Sequence, residues 1–381
     1  MKNQYVILTG CKNNAGDFLI THRALGLFKT LRPDRKIIDF NSWEEFDKRK
    51  LKIINESKAL ILLGGPSLQK DMRPTIYKMT DCLNDIKVPI LTFGIGWKSL
   101  TGNWSDTFSY PLNNQSIELL DRINNSGYKS SVRDFHTLNV LRFKGYENFL
   151  MTGCPAYYDI DFINTKNNNP SISKVAFSLG VSFIKSNSML KLMKENILRC
   201  INEFDDAEFS VVFHHSLNAQ KFINSGASGP YHNLMHRKFA KWLESNNINF
   251  VDISGSADKL IRFYNQIDLH IGYRVHAHIF MTSINKPSIL ISEDGRGNGV
   301  YSVISGCVLN SIYKIKTSIF SKILYRISKR FDPIKPNYNL TNEILNMINY
   351  EKKTKFLRLQ NSRSLIDNNY ELMREFICQL P

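Results

Sequence analysis

Short apolar runs alternate with helix-length segments along most of the chain, and this rhythm narrows the fold more than any other feature. Tyr5–Thr9, Ile37–Phe40, Ala59–Leu63, Val88–Phe93, Ser130–Val132 and Phe149–Thr152 read as strands of the first half. Between them, Asp17 opens a helix whose Ile20, Ala24, Leu27, Phe28 and Leu31 share one face, and Pro33 stops it. Further helices are expected over Trp43–Ile54, Asn113–Asn124 and Thr137–Phe143. The rhythm breaks at Asn164–Ser173, an asparagine-rich polar stretch interrupted by proline, and then resumes. Val175–Leu179, Phe209–Phe213, Phe250–Ile253, the run before Arg274 and Ser288–Ser292 are the later strands, with helices over Ser188–Phe204, His232–Asn246 and Ala257–Gln266.

A chain of 381 residues exceeds what one hydrophobic core serves well. Two Rossmann-like α/β domains follow, residues 1–165 and 173–305, facing each other across a central cleft. Residues 306–335 form a basic amphipathic segment, and 336–381 a tail whose helix, Lys353–Cys378, crosses back over the first domain.

Glycines cluster where the strands end. The first strand runs into Gly10–Gly16 and then Asp17, a strand–loop–helix unit whose backbone N–H groups face the loop. It lacks the G-x-G-x-x-G spacing, so no dinucleotide site is assigned, and Asp17 reads equally as a helix cap or a site residue. Gly64-Gly65-Pro66-Ser67 and Gly94-Ile95-Gly96-Trp97-Lys98 end two more strands, on the edge where α/β sheets bind ligands. Simple turn chemistry is the competing explanation.

The stretch Asp268–Phe280 carries Arg274 and His276, two residues apart. If the strand persists that far, both side chains project to one side, and together they suit a phosphate or carboxylate. His278 reads as structural. Arg296 supplies a second cation, and Asp294 either orients it, acts as a base, or merely shapes the loop with it. His214 and His215 are adjacent on a strand end and point to opposite faces, so at most one, taken as His214, reaches the cleft.

Net charge of +16 and a pI near 9.4 call for an acidic partner. Much of the excess lies in Ser311–Arg330, where Ile312, Ile315, Ile319, Ile323 and Ile327 align on one helical face and the basic residues lie elsewhere. That pattern suits a helix lying on an anionic membrane surface, or one packed on the core with a solvated basic face. There is no nucleic-acid module, and no nucleic-acid partner is expected. Six scattered cysteines without C-x-x-C pairs argue against zinc and disulfides and for a reducing compartment. No metal motif, P-loop or G-x-S-x-G is present. With no signal-like or membrane-spanning run, a cytoplasmic protein is expected, peripheral at the inner leaflet of the plasma membrane if the basic segment binds there.

An ordered series of motifs across residues 5–300 resembles the polysaccharide pyruvyl transferase family: Asn14-Ala15-Gly16-Asp17, Gly64-Gly65-Pro66, Gly94-Ile95-Gly96, Arg133-Asp134 with Leu138, Leu141 and Gly145, and Arg274-Val275-His276 followed by acidic–x–Arg. Pro66 stands where a third glycine is common, and Cys154 where many relatives have aspartate. The resemblance implies a GT-B-like fold and transfer of a pyruvyl group from phosphoenolpyruvate to a sugar, possessed of a lipid carrier or already part of a surface polysaccharide, giving a ketal. On that implication His276 is the acid or else a phosphate ligand, with Asp17 or Asp134 accepting the acceptor's proton. Arg274, Arg296, Asp294, Gly16, Gly65, Gly96, Lys98, Arg133 and His214 bind substrate, and no metal or separate cofactor is required. The alternatives are a GT-B glycosyltransferase using a nucleotide sugar, and a non-catalytic glycan- or membrane-binding subunit on the same scaffold.

Overall fold

The computed structural model describes residues 2–10, 15–99, 102–165, 171–218, 230–315 and 332–381. The chain divides into two compact units. The first comprises residues 1–165, 294–304 and 363–381, and the second residues 166–293 and 305–362.

The first unit begins with β1 (Gln4–Thr9), buried along its whole length as its unbroken apolar run requires. It continues through α1 (Ala15–Leu31), β2 (Lys36–Asn41), α2 (Lys48–Asn55), β3 (Ala59–Leu63), β4 (Ile90–Phe93), α3 (Asn114–Asn124), β5 (Ser130–Val132), α4 (Phe135–Phe143) and β6 (Phe149–Met151). The parallel sheet has the order β2-β1-β3-β4, and β5-β6 extend it: Gly94 N–H donates to the Ser131 carbonyl at 3.0 Å and Arg133 N–H to that of Ile95 at 2.8 Å. The helix expected from Trp43 starts only at Lys48, because the Asp47 carboxylate accepts the Lys50 N–H at 2.7 Å and caps it there.

The second unit holds β7 (Lys174–Ser178), α5 (Asn187–Glu203), β8 (Glu208–Phe213), α6 (Pro230–Ser245), β9 (Phe250–Asp252), α7 (Ala257–Asn265), β10 (Leu269–Gly272), α8 (Val275–Ser283) and β11 (Ser288–Ser292). The chain then contributes α9 (Gly295–Ile304) to the first unit and returns with β12 (Cys307–Asn310). The six-stranded parallel sheet runs β12-β11-β10-β7-β8-β9. Val175, Phe177, Val211, Ile271 and Ile289 carry its core, with α5 packed on them through Met189, Met193 and Ile197.

The domain boundary expected at residue 305 therefore needs revision: residues 294–304, with Asp294 and Arg296, belong to the first unit. The C-terminal region also differs from expectation. Ile312–Ile315 is a strand, β13, paired antiparallel with β14 (Ile334–Pro336), and not the start of a helix. Ile312 packs on the core while Tyr313 stands 76% exposed. The remainder of the basic segment, residues 316–331, lies outside the described residues. Two helices follow, α10 (Leu340–Lys353) and α11 (Leu357–Cys378), separated where Lys355 and Phe356 take left-handed φ of 54° and 58°. The end of α11 is fixed in the first unit, with Phe376 5.8 Å from Phe93 and Arg32 Nη1 donating to the Leu380 carbonyl at 2.7 Å. Among the described residues no helix is long and apolar enough to cross a membrane.

Candidate functional site

In the second unit the strand succession reverses between β7 and β10, the place where open parallel sheets bind ligands. Here β10 ends at Gly272, whose φ of 144° turns the chain out of the strand. Arg274 is consequently the N-cap of α8 and His276 lies in its first turn. The strand does not persist to Arg274, so alternation cannot put the two side chains on one side. The backbone is pinned instead: Tyr273 N–H donates to the Ser178 carbonyl at 2.9 Å and Arg274 N–H to Ser178 Oγ at 3.0 Å. Beneath it, His270 bridges Ser178 Oγ at 2.8 Å and Ser288 Oγ at 2.7 Å, and His278 Nδ1 reaches the same Ser288 at 2.8 Å.

The guanidinium of Arg274 meets His215, Nη1 to Nε2 at 3.2 Å. A guanidinium only donates, so in this contact Nε2 accepts and the imidazole proton sits on Nδ1. His214 goes the other way, buried against the Tyr264 hydroxyl at 2.8 Å. The adjacent pair does split, but the member joined to Arg274 is His215, not the His214 chosen from the sequence. Strand parity says that the two diverge without saying which face is which. Because α8 has no side-chain cap, its N-terminal amides and Arg274 together favour an anion.

Glu293 is a further residue of this unit. Its carboxylate accepts N–H bonds from Val181 at 2.9 Å and Ser182 at 2.9 Å, with the Ser182 hydroxyl also donating. A Cβ on Gly180 would lie 2.1 Å from Glu293 Oε1, so the glycine leaves the space that the carboxylate occupies beside the loop after β7.

The first unit gathers the other candidates at its strand ends. Arg133 is buried, its Nε 3.5 Å from Asp134 Oδ2, and a Cβ on Gly96 would lie 2.0 Å from that Nε. Gly96 thus provides the space that Arg133 fills. Asp134 caps α4, accepting from Thr137 N–H at 2.7 Å and Thr137 Oγ1 at 2.8 Å. Gly16 is buried at the start of α1, and the half-buried Asp17 carboxylate lies 3.7 Å from where a Cβ on Gly10 would stand. Gly65 has a left-handed φ of 71°, and Lys98 Nζ reaches Gln69 Oε1 at 3.5 Å on the surface. Burial alone would raise the Asp294 pKa, but Arg296, with Nε at 2.9 Å, and then Arg133 outweigh it and hold the carboxyl below its usual range. Cys154 is buried, which pushes its thiol up to about 11 and keeps it neutral. Arg296 and Arg274, grouped in one domain from the sequence, therefore fall in different units. No group of three metal-ligating side chains occurs among the described residues.

Four histidines of the second unit make its stability depend on pH. His214, His236, His270 and His278 are held neutral chiefly by burial, His236 at about 4 and His278 at about 3. Unfolded, each binds a proton near pH ~6.5, so their contribution is complete above that pH and is lost as pH falls below it. Each such group removes up to about 1.4 kcal/mol per pH unit in that range. Denaturant midpoints should accordingly be clearly lower near pH ~5.5 than near ~7.5; equal midpoints would contradict neutral burial.

The structure is similar to a protein of Listeria monocytogenes described as a UDP-N-acetylglucosamine 2-epimerase, with TM-score 0.50, 11% identity, and 98% of this chain and 95% of that one covered. It also matches the UDP-GlcNAc 2-epimerase of Neisseria meningitidis, with TM-score 0.47, 10% identity and 98% of each chain covered. The likeness is one of fold, the two-domain α/β architecture of the GT-B type. Among curated proteins no sequence match is found. A family model described as polysaccharide pyruvyl transferase matches residues 14–295, most of the chain, taking in Asp17, Arg133, Asp134, Arg274, His276 and Asp294 but not Arg296. The chain therefore belongs to the polysaccharide pyruvyl transferase family and is a transferase.

Proposed function

We propose that the protein transfers the pyruvyl group of phosphoenolpyruvate to a sugar of a polysaccharide or its lipid-linked precursor, forming a pyruvate ketal. The observation that carries this reading is Arg274, placed with His215 at the uncapped N-terminus of α8 and at the switch point of a parallel sheet. Phosphoenolpyruvate bears a phosphate and a carboxylate, and a guanidinium fork beside helix amides suits either.

In the proposed reaction His276 protonates the methylene carbon, which leaves an oxocarbenium-like centre at the adjacent carbon. One sugar hydroxyl adds there and loses its proton. A second hydroxyl of the same sugar then displaces phosphate, and its proton leaves with the phosphate. Asp17 or Asp134 accepts a hydroxyl proton, Asp134 being the one that also caps α4 through Thr137. The donor is a substrate, and the route needs no other cofactor.

Incubation with phosphoenolpyruvate and a panel of oligosaccharide and lipid-linked acceptors should yield phosphate and an acceptor heavier by one pyruvyl unit. Transfer of a hexose from a nucleotide sugar, with none from phosphoenolpyruvate, would sink the reading.

A further inference from the structure

The first unit carries a recess of about 520 Å³, lined by α4, α9 and the loop Gly102–Trp104. That size falls within the range of small-molecule sites. Its distinguishing feature is a set of aromatic surfaces left open: Trp104 is 50% exposed, Tyr301 55% and Phe135 40%. Isolated exposed aromatics need no explanation, but three around one recess mark a contact surface.

Trp104 is held in place by stacking. Its ring stacks on His136 with centroids 3.8 Å apart and planes at 22°, and His136 stacks on buried Trp97 at 5.0 Å and 10°. The loop bearing Trp104 is seated through Gly102, whose carbonyl accepts from Asn298 Nδ2 at 3.2 Å. A Cβ on Gly102 would lie 2.6 Å from the Gly295 Cα, so the loop can rest on α9 only with glycine there.

The lining also excludes one class of ligand. In a chain of net charge +16, the described lining contains no Lys, Arg, Asp or Glu, only Asn103, Asn139, Asn298 and Ser302 as polar side chains beside the aromatics and His136. Burial disfavours a charge on His136 as well. A phosphorylated ligand would meet no cation here. A pyranose ring would meet what it needs: flat aromatic faces for its apolar C–H surface, and amides that both donate and accept for its hydroxyls. His136 Nδ1 adds a buried acceptor or donor without a hydrogen-bond partner among the described residues. Such a group is costly to leave unsatisfied, and a bound hydroxyl reaching it would offset that cost.

We propose that this recess is a subsite for a neutral sugar unit of the acceptor, stacked on Trp104 and Tyr301 and hydrogen-bonded by the surrounding asparagines. The assignment of that sugar as the acceptor rests on the pyruvyl-transfer reading; the carbohydrate site itself does not.

The test is a fluorescence titration of the full chain with neutral oligosaccharides of β-linked galactose, glucose and N-acetylglucosamine. Phosphoenolpyruvate binding is followed separately by calorimetry. At least one oligosaccharide should bind, Trp104→Ala and Tyr301→Ala should each weaken it at least tenfold, and Tyr301→Phe should retain it. Phosphoenolpyruvate affinity and melting temperature should be unchanged in Tyr301→Ala, which keeps the test valid if Trp104→Ala folds poorly. Failure of every oligosaccharide to bind the unmodified protein, or undiminished binding in Tyr301→Ala, overturns the proposal. Oligosaccharide binding without phosphoenolpyruvate binding would leave the subsite standing and reject the donor reading.

Discussion

Arg274→Ala is expected to lower kcat/KM for phosphoenolpyruvate by roughly 100- to 1000-fold, the range set by removing one preorganised electrostatic contact from a reacting group. The side chain and the backbone of Arg274 have separate roles. The main-chain N–H of Arg274 bonds Ser178 Oγ at 3.0 Å whatever residue 274 is, so the end of β10 and the start of α8 should survive the change. What disappears is the guanidinium and its contact with His215. Arg274→Lys should recover part of the loss, because lysine restores the charge but not the planar fork. Steady-state kinetics with varied phosphoenolpyruvate, alongside a melting curve, decide the matter. An Ala variant with normal melting and unaltered kcat/KM would remove Arg274 from the donor site.

The two α/β units were legible because their strands are short apolar runs with little internal polarity. Tyr5–Thr9 and Ala59–Leu63 are buried throughout their shared β1–β3 register. Asn164–Ser173 reads as a linker because it is polar, asparagine-rich and broken by proline, and the units divide between residues 165 and 166. Element ends were less legible: the start of α2 is decided by one Asp47 side chain, and α10 and α11 part at two residues with left-handed φ and no glycine to announce them.

The site followed the same rule. Residue types that bind anions could be read at strand ends, but the partnerships could not. Glu293 and Asp294 are neighbours in sequence, yet one closes the loop after β7 and the other pairs with Arg296 in the first unit. His215 could not be preferred over His214 without knowing which face of β8 is covered by Tyr264. The stack of Trp97, His136 and Trp104 joins residues far apart in sequence and has no periodic signal at all.

Gly272→Ala is expected to destabilise the second unit by about 3–5 kcal/mol, a loss of the size reserved for a clash or strain that cannot relax. Two costs combine. The φ of 144° is one that side-chain-bearing residues rarely adopt, which contributes on the order of 1–3 kcal/mol. The new Cβ would also lie 2.4 Å from the Ser178 carbonyl oxygen and 2.5 Å from its nitrogen. Those atoms are backbone, and Ser178 is the registered partner of Gly272 in the central β7–β10 pair, so relief requires parting the sheet at its middle. Gly65→Ala is the control: its φ of 71° is also left-handed, but nothing stands within 4 Å of the added Cβ. It should lose only the backbone term, about 1–2 kcal/mol. Urea unfolding of both variants measures the difference. The central-strand explanation fails if Gly272→Ala costs no more than Gly65→Ala, whereas a larger cost accompanied by lost phosphoenolpyruvate binding would tie the geometry of Arg274 to the turn that Gly272 makes.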